Sequence, residues 1–448
     1  MTSRPPDLRL DDLSEPRIDS EVRVLMDAVI DMAGTVELSR DAIMARAREE
    51  TGLEDFGDTD ALDRLGLITS ALGDVALSAF GRTSMFLMLT QMAKNRLLIE
   101  QTLARHPEIH DVEIAAPIII AGLQRSGTTH LHNLLSADTN LRHLPYWESL
   151  EPVLPDAERE QAAPEDPRIA RCAMALEFQH AAMPHFNRMH EMTVEHSHEE
   201  IQLIANNFSS MLFEAIVPLP AFRDHYKAVD QTSDYEYLKT VLKLLTWNGT
   251  APSASNAGQA SQAASASNAS KIGKTNKIRW VLKSPQHLEQ FGPLTKVFPD
   301  ATFVLTHRDP VSVIASVATM NAYSLRMHED RIDVDAVGRY WAERTEDMLR
   351  ACVRDRALLP AERSIDIPFH EYMRSDMAAV RRIYELARQP LEADVLQAMD
   401  DYQSAHPRGR HGRIAYKLSD FGLDGHRLRE RLSFYTQRFG LDHENAAL

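Results

Sequence analysis

The stretch Ala116-Pro-Ile-Ile-Ile-Ala-Gly-Leu-Gln-Arg-Ser-Gly-Thr-Thr-His-Leu-His-Asn-Leu-Leu135 decides the fold. Its apolar run through Ile120 reads as a buried strand, Gly122 to Gly127 as a tight turn, and the residues from Thr128 onward as a helix. Such a turn aims backbone N–H groups, with the hydroxyls of Thr128 and Thr129, at an anion. The glycine spacing is that of the triphosphate loop G-x-x-x-x-G-K-[ST], whose lysine directly follows the second glycine. Here Thr128 holds that position, and the cation, Arg125, sits inside the loop. The stretch is suited to a phosphate-containing donor other than the β,γ-phosphates and magnesium of ATP.

Composition narrows the classes further. With 49 Lys and Arg against 65 Asp and Glu, the 448-residue chain carries a formal charge of −16, which disfavours nonspecific binding to nucleic acid or to an anionic membrane. Hydrophobic content of 44% is enough for a large core. Two cysteines, Cys172 and Cys352, do not make a disulfide framework, and no apolar run approaches the roughly 18 residues of a membrane span. The start of the chain lacks the apolar run of a secretory signal. The expectation is a cytoplasmic protein with no integral membrane segment and no nucleic-acid partner; the oligomeric state is left open.

Residues 1–112 read mostly helical, through Val22–Ala33, Arg40–Glu50 and Met85–Leu103, as a helical layer or cap. Residues 113–448 read as the main domain. Pro145–Pro167, rich in proline and acid, suggests an irregular surface segment. Ser197-His-Glu-Glu has the pattern of a capping box ahead of an apolar-periodic run, and a helix is expected over Tyr235–Trp247. Ile278–Leu282 and Ala301–Thr306 read as further central strands, and Asp309-Pro310 as a helix start. Strands alternating with helices predict an α/β fold, a P-loop-like three-layer sandwich around a mostly parallel sheet. The span 248–277 holds almost no large apolar residue and predicts a flexible insertion.

Ligands of such sheets bind beyond the carboxyl ends of the strands. Two more cations fall there: Lys283, closing Trp280-Val-Leu-Lys-Ser-Pro, and Arg308, closing Val304-Leu-Thr-His-Arg. Three basic side chains at three strand ends imply a strongly anionic donor.

Over Ile118–Leu135, Trp280–His287 and Thr302–Met320 the chain resembles sulfotransferases that use 3′-phosphoadenosine 5′-phosphosulfate, in the bacterial branch with Arg-Ser-Gly-Thr-Thr in its phosphosulfate loop. The resemblance implies that Gly122, Arg125, Ser126, Gly127, Thr128 and Thr129 hold the 5′-phosphosulfate. It places Arg308 and Ser316, eight residues apart, on the 3′-phosphate. Lys283 keeps the lysine of the family's Lys-Thr-His motif, but the histidine that serves as base is replaced by Pro285. In relatives that use a glutamate just downstream of the first helix, the corresponding residue is Glu148. Glu151 competes with it, and His143, His196 and His198 stay open. The segment Arg408-Gly-Arg410-His-Gly412 resembles the loop that closes over the 3′-phosphate, with His411 in place of a lysine.

The resulting expectation is transfer of a sulfuryl group from that donor to a hydroxyl of a small-molecule, lipid or glycan acceptor. Arg125, Lys283 and Glu148 are the catalytic candidates, and no metal is expected. The alternatives are a P-loop-type nucleotide-dependent kinase and a noncatalytic phosphoadenosine-binding protein.

Overall fold

Strands form where the apolar runs predict them. The computed structural model describes residues 5–161, 165–250 and 278–444. Within these the strands, in chain order, are β1 (Leu8–Arg9), β2 (Ile118–Gly122), β3 (Leu141–Arg142), β4 (Arg279–Ser284), β5 (Thr302–His307), β6 (Ser364–Pro368) and β7 (Ile414–Ala415). Five make one parallel sheet in the order β3-β4-β2-β5-β6. Every residue of β2 and β5 is buried, as befits strands covered on both faces. Side-chain alternation divides the covering: Ile118 and Ile120 join Leu131, Val304 and Ile383 on one face, while Ile119 and Ala121 join Leu282, Phe303 and Leu305 on the other.

The N-terminal layer comprises helices Ser20–Ala33, Arg40–Thr51, Asp60–Leu72 and Ala79–Arg105. Ser39 and Ser78 cap two of them, accepting from the N–H groups of Ala42 and Gly81 at 3.3 and 3.0 Å. Ile43, Leu65, Leu89 and Leu97 belong to the same apolar cluster as Ile119, so this layer and the sheet share a core.

Four local expectations change. Pro145–Pro167 contains two one-turn helices, Tyr146–Leu150 and Asp156–Glu160. Ser197 is not a cap: it bridges to Pro145, and the helix that follows starts only at Ile201 and ends at Ala205. The helix expected over Tyr235–Trp247 runs Thr232–Thr250, so the first three residues of the supposed insertion 248–277 are helical. The remainder of that span, 251–277, lies outside the described residues. The short parallel pairing of β1 with β7, Leu8 opposite Ile414, was not legible in the sequence and anchors the segment that follows Arg408.

The neighbours of β2 are β4 on one side and β5 on the other, with Ala121 opposite Ser284 and Gly122 opposite Thr306. The chain therefore leaves β2 at a point where the strand order reverses. A crevice opens there beyond the strand ends.

Candidate active site

The loop after β2 is built by close approach. A Cβ on Gly122 would lie 2.1 Å from Thr306 Oγ1 and 2.8 Å from Thr128 Cγ2, so only glycine fits. Gly127 takes φ +87° as the residue before helix Thr128–Ser136. The first N–H with an internal partner is that of Leu131, which donates to the Gly127 carbonyl at 3.1 Å. The earlier N–H groups of that helix remain for a ligand. Ser126 is spent on the loop itself: its hydroxyl donates to the Leu123 carbonyl at 2.5 Å and meets Thr306 Oγ1 at 2.8 Å.

Arg125 stands above this helix start with a left-handed backbone, φ +65°. Its Nε donates to Ser316 Oγ at 3.2 Å, and its Nη1 to the Met189 carbonyl. Among the described residues no carboxylate pairs with it. Burial lowers the pKa of this guanidinium, and the Arg308 charge adds to that. A half-buried cation held only by neutral groups has charge left to offer an anion.

Lys283 lies beneath the same spot, 2% exposed. Its ammonium reaches Thr129 Oγ1 at 3.4 Å and pairs with the Glu199 carboxylate. The next residue, Glu200, is fully buried, accepts from the Lys283 backbone N–H at 2.9 Å and pairs with His287, whose Nδ1 meets the Tyr235 hydroxyl at 2.8 Å. These contacts fix the turn that carries Glu199. The sequence reading missed both glutamates because Ser197-His-Glu-Glu matched a cap pattern; two adjacent acids before an apolar run were the available signal.

Arg308 also faces the loop. Its Nη1 donates to the Arg125 carbonyl at 2.5 Å, and its guanidinium lies 4.3 Å from the centre of the Phe369 ring. Its remaining fork is held by Glu444, at 2.7 Å from Nε and 2.6 Å from Nη2. Burial opposes the Arg308 charge, but Glu444 outweighs it and the pKa is raised. Ser316, expected beside Arg308 on a phosphate, accepts from Arg125 Nε.

One cavity of about 1150 Å³ is lined by Arg125, Gly127, Thr128, Thr129, Arg308, Arg408, Arg410 and Gly412 among others. Arg408 pairs with Asp376 at 2.9 Å, and Arg410 pairs with Glu191. Gly122, Ser126, Ser316 and Lys283 lie behind this lining. Glu148 is not brought to it. Arg142 Nη2 holds both Glu148 oxygens, at 3.0 and 3.1 Å, and Arg142 itself stacks over Trp280. Glu151 is likewise held away, by Arg171 at 2.7 and 2.8 Å. The carboxylate that does line the cavity beside Lys283 is Glu199.

Histidines crowd the same wall. His196 Nε2 and His198 Nδ1 are 3.1 Å apart, with His190 and His143 also lining the cavity. Among the described residues no three His, Cys, Asp or Glu side chains are grouped to hold a metal ion. Burial pulls His143, His196 and His328 down to about 4 from 6.5, and His132, His190 and His198 well below 6.5. The unfolded chain binds these protons below about pH 6.5 while the folded chain refuses them, so stability falls as pH drops from 6.5 towards 4. Melting at pH 5 is therefore expected well below melting at pH 7.5, with several protons taken up on unfolding. A melting temperature unchanged between those pH values would mean that the rings are solvated.

Comparison with known proteins agrees with this geometry. No helix among the described residues is long and apolar enough to cross a membrane. No curated protein matches the sequence significantly. The crystal structure of sulfotransferase STF1 from Mycobacterium tuberculosis H37Rv matches with a TM-score of 0.70 and 25% identity, over 90% of this chain and 99% of that one. Sulfotransferase STF9 from Mycobacterium avium shares the fold with a TM-score of 0.76 and 23% identity, over 93% of this chain and 100% of that one. The model of the sulfotransferase family matches residues 117–393, from the start of β2 through the sheet and past β6. With more than half of its length matched, including the loop, Lys283 and Arg308, the chain belongs to the sulfotransferase family.

Proposed function

We propose that this enzyme moves the sulfuryl group of 3′-phosphoadenosine 5′-phosphosulfate to the hydroxyl of a small-molecule acceptor, in the cytoplasm. The observation that carries the reading is Arg125, a half-buried guanidinium without a carboxylate partner, poised over a helix start whose first N–H groups are open. The residues present fit such a donor. Glycine at 122 lets the loop close tightly, and Thr128 in place of a loop lysine argues against a triphosphate.

The donor supplies a sulfuryl group whose bond to the 5′-phosphate oxygen breaks as the acceptor oxygen bonds to sulfur. Arg125, Lys283 and the N–H groups of Thr128 and Thr129 hold the anionic end and stabilise charge growing on the bridging oxygen. Ser316 positions Arg125. Arg308, with Arg408 and Arg410 at the lip, binds the 3′-phosphate. Glu199 replaces Glu148 as proton acceptor: when Lys283 turns to the donor, the Glu199 carboxylate is left facing the acceptor hydroxyl. The N-terminal layer acts as a cap, because Phe80, Ser84 and Met88 line the same cavity. Incubating the full chain with the donor and a panel of alcohols, then searching for products heavier by one sulfuryl group, tests the reaction directly. Absence of any such product across neutral and charged alcohols would overturn it.

Glu444 gives a test of the 3′-phosphate assignment. Its carboxylate occupies the fork of Arg308 that a phosphate would need. Arg308→Ala should weaken binding of adenosine 3′,5′-bisphosphate by about 10- to 100-fold, the weight of a charge-assisted pair. Glu444→Gln should tighten it several-fold, by removing the competing anion. Calorimetry on both variants decides, and equal affinities throughout would take Arg308 out of the site.

A further inference from the structure

The cavity is larger than a single ligand ordinarily requires, and its charges are segregated. Every Arg and Glu on its wall comes from the loop at Arg125, from residues 188–199, from Arg308 or from the segment 408–410. The parts of the wall supplied by helices Ala79–Arg105 and Pro167–Ala182 carry none. Helix Ala79–Arg105 presents Phe80, Ser84 and Met88 at four-residue spacing, one face of a helix. Phe178 of helix Pro167–Ala182 meets Phe80 with ring centres 5.7 Å apart. Met327 packs in the same apolar cluster as these two rings, and also in the cluster of Met183, Met189 and Met320. The Met189 carbonyl accepts from Arg125. Apolar packing thus links the N-terminal layer to the reacting end through Met327, along a part of the wall whose polar groups, Gln179, Asn321, Ser324 and His328, carry no carboxylate, lysine or arginine.

From this juxtaposition we infer that the acceptor is a neutral, hydrophobic alcohol, a long-chain or polycyclic molecule whose body lies along the apolar wall and whose hydroxyl reaches Glu199. The inference rests on the sulfuryl-transfer reading and narrows its acceptor. Six methionines line the cavity, Met88, Met183, Met189, Met192, Met320 and Met327. Thioether chains adapt to varied apolar shapes but give a sugar almost nothing to bond. The Arg and Glu side chains gather at the other end, while Gln179, Asn321, Ser324 and His328 put neutral polar groups along the methionine-rich part. The buried Nδ1 atoms of His143, His190 and His328 have no hydrogen-bond partner among the described residues; the first two rings line the cavity with His196 and His198, and His328 lines it beside the start of helix Ala79–Arg105. One charged end and one uncharged, methionine-rich body match a hydrophobic alcohol better than a glycan.

The test separates the acceptor class from the reaction. Binding of straight-chain alcohols of increasing length, and of glucose, is measured on the full chain by displacement of a neutral fluorescent dye, and transfer is followed on the same compounds with the sulfate donor. Affinity is expected to rise about three- to fourfold per methylene until the wall is filled, and glucose is expected neither to bind nor to react. Ala215→Trp, which fills the apolar part of the cavity, should flatten the series while binding of adenosine 3′,5′-bisphosphate, the check on folding, is kept. Ser84→Glu, on a different helix, should do the same by placing a charge on the wall. Length-dependent binding without transfer upholds the acceptor site and refutes the sulfuryl-transfer reading. Transfer to glucose with no dependence on chain length does the reverse and overturns the inference. A length series that survives both substitutions also overturns it.

Discussion

Arg125→Ala is expected to lower kcat/KM for sulfuryl transfer by about 10²- to 10³-fold, the effect of removing one directed donor from a preorganised anion site. The size follows from where the side chain stands. Its guanidinium is half buried, bonded only to the Ser316 hydroxyl and the Met189 carbonyl, and has no carboxylate partner among the described residues. In the free protein the cation is therefore under-compensated, and burial already lowers its pKa. An anion whose charge grows towards the transition state gains more from such a group than from one already paired. The backbone adds a control. Arg125 sits at φ +65°, a conformation that strains alanine as much as arginine, whereas Arg125→Gly removes both the charge and the strain. The glycine variant should be at least as stable as wild type and as inactive as the alanine variant. Arg125→Lys keeps the charge without the fork and should fall between. Activity near wild type in a well-folded Arg125→Gly would remove the residue from the machinery.

The sheet was legible because its signals are local. Ile118–Ile120, Val281-Leu282 and Phe303–Leu305 are apolar runs that only a doubly covered strand can bury. Asp309-Pro310 starts a helix whose cap the structure shows, Asp309 accepting from the Val311 N–H at 3.1 Å. The loop was legible for the same reason: glycine at 122 and 127 answers to steric demands within a few residues. What the sequence hid depends on partners far along the chain. Lys283 and Glu199 are 84 residues apart, and Arg308 and Glu444 are 136 apart. Glu148, expected as the base, is held by Arg142, six residues away, in a pair that no spacing rule foretells. The pattern at Ser197 was read locally and failed, since Glu199 and Glu200 serve the lysine and histidine of another strand end. Charged residues with several possible partners are settled by tertiary contacts, and a single sequence carries little information about those.

Glu199→Gln should lower kcat by about 10²- to 10⁴-fold, the range for losing a positioned general base, and should at the same time strengthen donor binding. The two effects have one origin. In the free protein the Glu199 carboxylate pairs with the Lys283 ammonium, which also reaches Thr129 in the first turn of helix Thr128–Ser136. An anionic donor must take Lys283 from that carboxylate, so the wild-type enzyme spends part of its donor affinity on the exchange. Glutamine keeps the shape but holds a lysine far less strongly, so adenosine 3′,5′-bisphosphate should bind the variant several-fold more tightly. The same amide cannot accept the acceptor's proton, so turnover collapses and the acidic limb of the pH–rate profile disappears. A residue that only braced the turn would behave differently, because that task belongs to Glu200 through the Lys283 N–H and His287. Its loss would lower stability and both activities together. Glu148→Gln supplies the comparison: it breaks the pair with Arg142 away from the cavity and should leave kcat within a few-fold of wild type. Calorimetry with the bisphosphate and steady-state rates on the two variants decide between these roles. Wild-type kcat in Glu199→Gln, or its collapse in Glu148→Gln alone, would return the proton to Glu148.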